Sequence, residues 1–458
     1  MKKRLAAIAL TALLISAAGC NTNSNTQISS SDAAVSISES NEFQSFIEQA
    51  EQTDTKENSA KTSETSKDES SKEENSKDES SVVTTEFTSN TSGKIDTTDL
   101  FSNRDLAQTA DTSDAQTINV SDGQTINITE AGTYIISGTA SNCTIKVEAD
   151  KESKVQLVLD GVSITNESAP AIYVVSADKC FITTTSSENT LTVTGTFTAD
   201  GDTNTDAVIF SKDDIVFNGL GTLTISSTEN GISGKDDIKF TGGTYNITTT
   251  EDSVESKDSI AICGGTFNIT SSKDAFHSEN EDDTTVGWIY ISGGEFTIKA
   301  SSDAIQGTST VQIDGGTFDI TASEGIEATY VQINDGTINI SASDDGINAA
   351  KKSTAYSTPT IEINGGTLTI VMGQGDTDAI DANGDIYVNG GTINITAQMS
   401  SFDYDGKAEY NGGTIIINGS QVDSIPQSMM GGGPGGMMGG GHGGRGMMMP
   451  GQMPNGTM

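Results

Sequence analysis

The segments Gly242-Gly243-Thr244-Tyr245-Asn246-Ile247-Thr248 and Gly264-Gly265-Thr266-Phe267-Asn268-Ile269-Thr270 are two copies of one phrase. A third is Gly293-Gly294-Glu295-Phe296-Thr297-Ile298, and further copies begin at Gly315, Asp335, Gly365, Gly390 and Gly412. Successive spacings are 22, 29, 22, 20, 30, 25 and 22 residues. Between the copies lies a second unit: an acid or Asn, a small residue, an apolar residue, then a polar one. Asp303-Ala304-Ile305-Gln306, Glu324-Gly325-Ile326-Glu327 and Asp378-Ala379-Ile380-Asp381 are examples. A third short run, such as Val311-Gln312-Ile313, precedes each Gly pair. Each repeat thus holds three short alternating strands, none able to bury its apolar face alone. Stacked on one another they bury it, which predicts an all-β chain folded as a parallel β-helix of ~22-residue coils. A helical solenoid fails because no 3.6-residue period is present, and a propeller fails because a blade needs ~40–50 residues. Residues 115–200 read as less regular strands that cap the N-terminal end.

Both ends of the chain differ from this middle. Met1-Lys2-Lys3-Arg4, an apolar run from Leu5 to Ala18 and Gly19-Cys20 have the layout of a secretory signal. The run is too short to span a bilayer, which takes ~20 residues. Cys20 after Ala17-Ala18-Gly19 is similar to the lipobox of bacterial lipoproteins, with Ala17 where Leu is usual. Residues 21–99 carry Ser, Thr, Asn and mixed charge without an apolar period, so a disordered, solvated tether is expected. Residues 429–458 hold nine Met and thirteen Gly and no acid, which predicts a flexible tail from about 424 onward. Its thioethers are soft ligands that suit Cu(I). The expected domains are therefore 1–20, 21–99, 100–423 and 424–458. Cys143, Cys180 and Cys263 fall in or beside strand-like runs and are expected as buried single thiols.

Lys+Arg is 24 and Asp+Glu is 64, a formal charge of −40. Such a chain repels phosphate backbones, which excludes nucleic acid as a partner. Two His leave little for His-based catalysis. Much of the acid recurs coil by coil. Stacking places Asp252, Asp274, Asp303, Glu324, Asp345 and Asp378 in one column. Three residues on, a second column includes His277, Gln306, Glu327, Asn348 and Asp381. Like charges stacked this closely are destabilising unless cations or donors intervene. Hard oxygen ligands with scarcely any His or Cys select Ca²⁺. The metal candidates are Asp252, Asp274, Asp303, Glu324, Glu327, Asp345, Asn348, Asp378 and Asp381. The competing reading is a turn ladder, with Asp and Asn side chains bonded to neighbouring backbone N–H groups.

The two longest spacings come from inserts at one corner, His277 to Trp288 and Ala349 to Pro359. As protruding loops they would flank a groove lined by Trp288, Tyr290 and Tyr356 and floored by Gln306, Glu324 and Glu327. Aromatics beside polar acceptors suit sugar rings, so Trp288, Tyr290, Gln306 and Tyr356 are the carbohydrate candidates. Loop aromatics packed back on their own coil are the alternative.

Asn103-Arg104-Asp105-Leu106, Gly132-Thr133-Tyr134-Ile135-Ile136-Ser137-Gly138 and Val155-Gln156-Leu157-Val158-Leu159-Asp160-Gly161 carry a resemblance. It continues through Lys212-Asp213-Asp214-Ile215, Lys235-Asp236-Asp237-Ile238 and Asp345-Gly346-Ile347. Over about residues 100–423 the chain resembles bacterial extracellular carbohydrate-binding β-helix lipoproteins. The resemblance implies a right-handed β-helix with bound calcium, similar to calcium-dependent pectate lyases, and binding of acidic or cellulosic polysaccharide. The family's Asp-Gly-Ile turns map onto Asp345 and more loosely onto Asp252, Asp274, Asp303, Glu324 and Asp378.

The combined expectation is a monomeric, calcium-stabilised protein that binds pectin- or cellulose-like polysaccharide. It would sit on the outer face of the membrane and touch it only through a lipid on Cys20. Calcium could bridge its carboxylates to those of a uronate. One alternative is a calcium-dependent polysaccharide lyase, for which Lys273, Lys299, Lys351 or Lys352 could act as base. The other is a structural adhesin or biofilm protein.

Overall fold

A computed structural model describes residues 83–90, 92–280, 282–375 and 377–426. The signal with Cys20, the tether up to residue 82 and the tail from residue 427 lie outside the described residues. What is described is all-β: 32 strands joined in one sheet, with a single four-residue helix, Asn103–Leu106. Every strand pairing is parallel except that of Thr414–Ile417 with Ser420–Val422.

The pairing follows the repeat. Tyr245 pairs with Phe267, Phe267 with Phe296, Phe296 with Phe318 and Phe318 with Ile338. Ile338 then pairs with Leu368, Leu368 with Ile393 and Ile393 with Ile415. These steps reproduce the spacings of the Gly phrase, so each strand lies against its own counterpart in the next repeat. Three such ladders run through the fold. The first carries the acid unit (Glu324–Ile333 opens with it), the second the run before the Gly pair, the third the phrase after it. Residues 116–193 are not a separate cap. Ile135 pairs with Val158 and Val155 with Cys180, in the same parallel ladders.

The Gly pair has two separate causes. A Cβ on Gly315 would stand 2.7 Å from the Ser292 carbonyl oxygen, so the first position has no room for a side chain. Gly316 has φ +107°, in the left-handed region that favours glycine. Between these corners strands such as Thr317–Ala322 alternate exposed and buried residues, and Ile, Val, Leu and Phe fill one continuous core. Beside the pair, Asn364 donates to Asn334 (2.7 Å), Asn389 to Asn364 (2.8 Å) and Asn411 to Asn389 (2.9 Å). Asp314 receives Asn334 at 2.6 Å and ends this side-chain ladder. Cys143, Cys180 and Cys263 are free and buried.

One boundary differs from expectation. Residues 83–90 and 92–99, read as the last part of the tether, pack on the second ladder as a strap. Phe87, Ile95 and Phe101 bury against Ala261, Cys263 and Tyr290. The Ile95 and Lys94 amides donate to the side-chain carbonyls of Gln312 (2.8 Å) and Gln332 (3.0 Å). The apolar residues of the strap are too few and too irregular to show a period, yet Phe87 and Ile95 each find a site on the ladder.

Candidate functional site

The acid column forms in register. Asp303 pairs with Glu324 and Asp345 with Asp378. Three residues on, Glu255, His277, Gln306, Glu327, Asn348 and Asp381 follow one another. Part of the turn-ladder reading holds. The amide of Asp274 donates to Asp252 Oδ1 (3.0 Å), that of Asp303 to Asp274 Oδ1 (2.9 Å) and that of Asp378 to Asp345 Oδ1 (3.3 Å). One carboxylate oxygen thus serves the backbone of the next tier. The other is left for the second column.

Three groups result, and their neutralisation differs. Asp252, Asp274 and His277 bring ligand-type atoms within 4.8 Å of one another. Lys273 Nζ lies 2.8 Å and His277 Nδ1 3.1 Å from Asp252 Oδ2. Against the burial of Asp252, these hydrogen bonds hold its carboxyl below the usual range. Asp303, Glu324 and Glu327 form the second group. Gln306 Nε2 donates to Asp303 and, at 2.7 Å, to Glu327, while Lys352 Nζ lies 2.6 Å from Glu327 Oε2. Burial, and then the surrounding acids, drive the Asp303 carboxyl well up. Asp252 and Glu327 draw the amines of Lys273 and Lys352 upward in spite of burial, the reverse of what a general base needs.

The third group holds Asp345, Asn348 and Asp381. No ion pair reaches Asp345 or Asp381 among the described residues. Burial, then Asp381, Glu324 and Asp344, push Asp345 up to about 8. Burial, then Asp378, Asp403 and Asp405, push Asp381 up to about 7. Asn348, in register with Asp381, donates its Nδ2 to Glu324 at 3.1 Å, and its Oδ1 is buried without a hydrogen-bond partner. An orphaned carbonyl oxygen among these carboxylates supplies oxygen donors only, the chemistry a hard cation such as Ca²⁺ takes, although they do not converge within 4.8 Å as the ligand atoms of the first two groups do. In the other two groups lysine, with histidine in one, already supplies positive charge.

A further acidic group was missed by sequence reasoning. Asp214, Asp236 and Asp237 meet within 4.8 Å at the turns entering the second ladder. Burial, then Asp237 and Asp236, push Asp214 up to about 6. The repeated Lys-Asp-Asp-Ile phrase at 212–215 and 235–238 was the available signal.

The inserts build a cleft on the second ladder. Its outward column runs Trp288, Thr310, Tyr330, Thr360. Over it a cavity of about 610 Å³ is lined by Trp288, Ser309, Thr310 and Tyr356, with Thr284 and Thr354 from the two inserts. Lys94, Ile95 and Asp96 of the strap close another wall. The Tyr356 ring sits 4.8 Å from Tyr330, and its hydroxyl pairs with Thr310 Oγ1 at 2.9 Å.

Two carbohydrate candidates fall elsewhere. Tyr290 is fully buried beneath Phe87 (ring centroids 6.4 Å apart), and its hydroxyl donates to Asp314 at 3.1 Å. Gln306, Glu324 and Glu327 lie on the first ladder and do not floor the cleft. The inserts leave after the first ladder and re-enter at the second, so their aromatics land one ladder away from the acids. Tyr330, absent from the expectation, is buried behind Tyr356 and does not itself line the cavity.

The family model described as carbohydrate-binding domain-containing protein matches residues 122–378 and 321–424, spans that hold the acid column and the cleft residues from Thr284 to Tyr356. The chain belongs to this family. A carbohydrate-binding domain-containing protein of Acetivibrio thermocellus is 40% identical over 116 residues, 24% of this chain and 41% of the relative. The chain thus matches about two fifths of that relative's length. A solved structure titled as the polysaccharide lyase-like protein from C. thermocellum, a gadolinium derivative, is 22% identical. The match covers 69% of this chain and 97% of that one, with a TM-score of 0.29.

Proposed function

We propose that this chain is a polysaccharide-binding protein whose three ladders wind as a right-handed β-helix stabilised by calcium. It is displayed on the outer face of the cell membrane by a lipid on Cys20, with plant-type polysaccharide, pectin- or cellulose-like, as its partner. The observation that carries binding is the shared cleft: Trp288 and Tyr356, from two separate inserts, line one cavity together with Ser and Thr hydroxyls. Aromatic faces take the apolar faces of sugar rings, and hydroxyls take their edges. Asp345, Asn348, Asp378 and Asp381 would hold the calcium ion, whose charge offsets the burial of the Asp345 and Asp381 carboxylates. Pull-down by insoluble pectin, cellulose or xylan tests binding. Wild type is retained and Trp288→Ala is lost, at unchanged thermal midpoint. Equal retention of both proteins would move the site off this cleft.

A further inference from the structure

The cleft and the acid column occupy different ladders, and this bears on which glycan the cleft accepts. None of the acids of the column lines it. Its charged lining is Lys94 and Asp96. The Lys94 ammonium is already engaged, 4.0 Å from Glu362 Oε2 and 4.4 Å above the Tyr330 ring. Asp96 accepts the Thr98 amide (3.0 Å) and hydroxyl (2.7 Å), which fixes an exposed carboxylate at the rim. Among the described residues that line the cleft, a uronate would meet one fixed anion and no free cation, on a chain of net charge −40. Asp96 is the one carboxylate among these described residues, so the lining itself offers no pair to share a bridging calcium. Asp283 of the first insert is taken up by the Thr285 amide (2.9 Å) and hydroxyl (2.7 Å). What the cleft does offer is two aromatic rings and the Thr284, Thr285 and Thr354 side chains, all uncharged.

We propose that this cleft binds an uncharged pyranose polymer, without a divalent cation, and that Asp96 disfavours uronates. The proposal rests on the carbohydrate-binding reading above and narrows it. The acid column is then a stability element, separate from glycan capture. The strap, by supplying Lys94 to Asp96, is part of the specificity of the site.

Trp288 is the only Trp of the chain, so its emission reports occupancy of this cleft alone. Purified full-length protein is titrated with uncharged β-glucan, xylan and mannan hexamers and with hexagalacturonate, each in calcium and in EDTA. An uncharged hexamer is expected to shift the emission equally in both buffers. Hexagalacturonate is expected to bind at least about ten-fold more weakly. Asp96→Asn should narrow that gap, and Tyr356→Ala should weaken the uncharged ligand. An emission change with hexagalacturonate only, or one abolished by EDTA, overturns the proposal. So does silence with every uncharged hexamer. If the polysaccharide pull-down then persists, carbohydrate binding survives at another site; if it also fails, both readings fall.

Discussion

Asn348 stands in register with Asp381, its amide nitrogen turned back to Glu324 and its carbonyl oxygen buried without a hydrogen-bond partner. A buried acceptor without a donor, on the rung next to a carboxylate that burial pushes up to about 7, calls for a cation or a proton nearby. Calcium should therefore raise the thermal midpoint of the wild-type protein, by about 2.7 kcal/mol of stability at a hundredfold excess over Kd. Asp381→Asn and Asn348→Ala should each lose most of that response. Lys273→Met, in the group that already has its counter-ion, should keep it. A response unchanged in Asp381→Asn would place the ion in other tiers, and no response in wild type would remove calcium from the protein.

The same group sets a pH dependence in the absence of metal. Burial and neighbouring acids hold Asp345 at about 8 and Asp381 at about 7. Unfolded Asp titrates near ~3.9, so the folded state binds these protons more tightly. Their stabilisation is fully present below about pH 4 and is lost as pH rises through about 7 and 8. His277 acts in the same sense. Despite burial its pKa is raised by Asp252 and Asp274, so its contribution also fades as pH rises. Asp252, held low, contributes in the opposite sense and matters only on strong acidification. In EDTA the thermal midpoint should accordingly be higher at pH 5.5 than at pH 8.5, and calcium should narrow the difference. A midpoint that climbs with pH in EDTA would contradict this assignment.

Tyr245, Phe267, Phe296 and Phe318 form a continuous stack inside the third ladder. Phe296 lies 4.8 Å from Phe267 and 4.5 Å from Phe318, both pairs within 3° of parallel. Phe296→Ala removes the middle ring from a place with no solvent to refill it and should cost about 3–5 kcal/mol. Phe296→Leu should cost clearly less, because most of the volume is kept. Urea unfolding followed by circular dichroism measures both. Equal, small losses would mean that the tiers pack loosely enough to close over the gap.

The ladders were legible in the sequence because each strand pairs with its own repeat. The spacing of Gly264, Gly293 and Gly315 is therefore the register itself, and the acid column followed from it residue by residue. What was illegible depends on partners without a period. Tyr290 alternates correctly for an outward position, yet it is covered by Phe87, some two hundred residues earlier in the chain. Gln306 and Trp288 are close in sequence but belong to different ladders, and only the path of the insert decides that. The strap has no repeat at all. Its Ile95 and Phe87 look like isolated apolar residues until the surface that receives them is known.

That covering role makes a separate prediction. Cys263 lies under the strap, lining a cavity of about 590 Å³ with Phe87 and Tyr290, and burial pushes its thiol up to about 12. Phe87 meets Phe101 edge-on at 4.8 Å, and its ring packs on the cluster that holds Cys263 and Tyr290. In the native protein Cys143, Cys180 and Cys263 should all resist a thiol reagent, since burial withholds both access and thiolate. Phe87→Ala should open Cys263 selectively and leave Cys143 and Cys180 closed, because the strap does not cover them. Ellman's reagent under native conditions reads the difference, with Phe87→Ala in a Cys263→Ser background as the control that should not label. Labelling that is the same with and without Phe87 would show that the strap does not seal this face in solution.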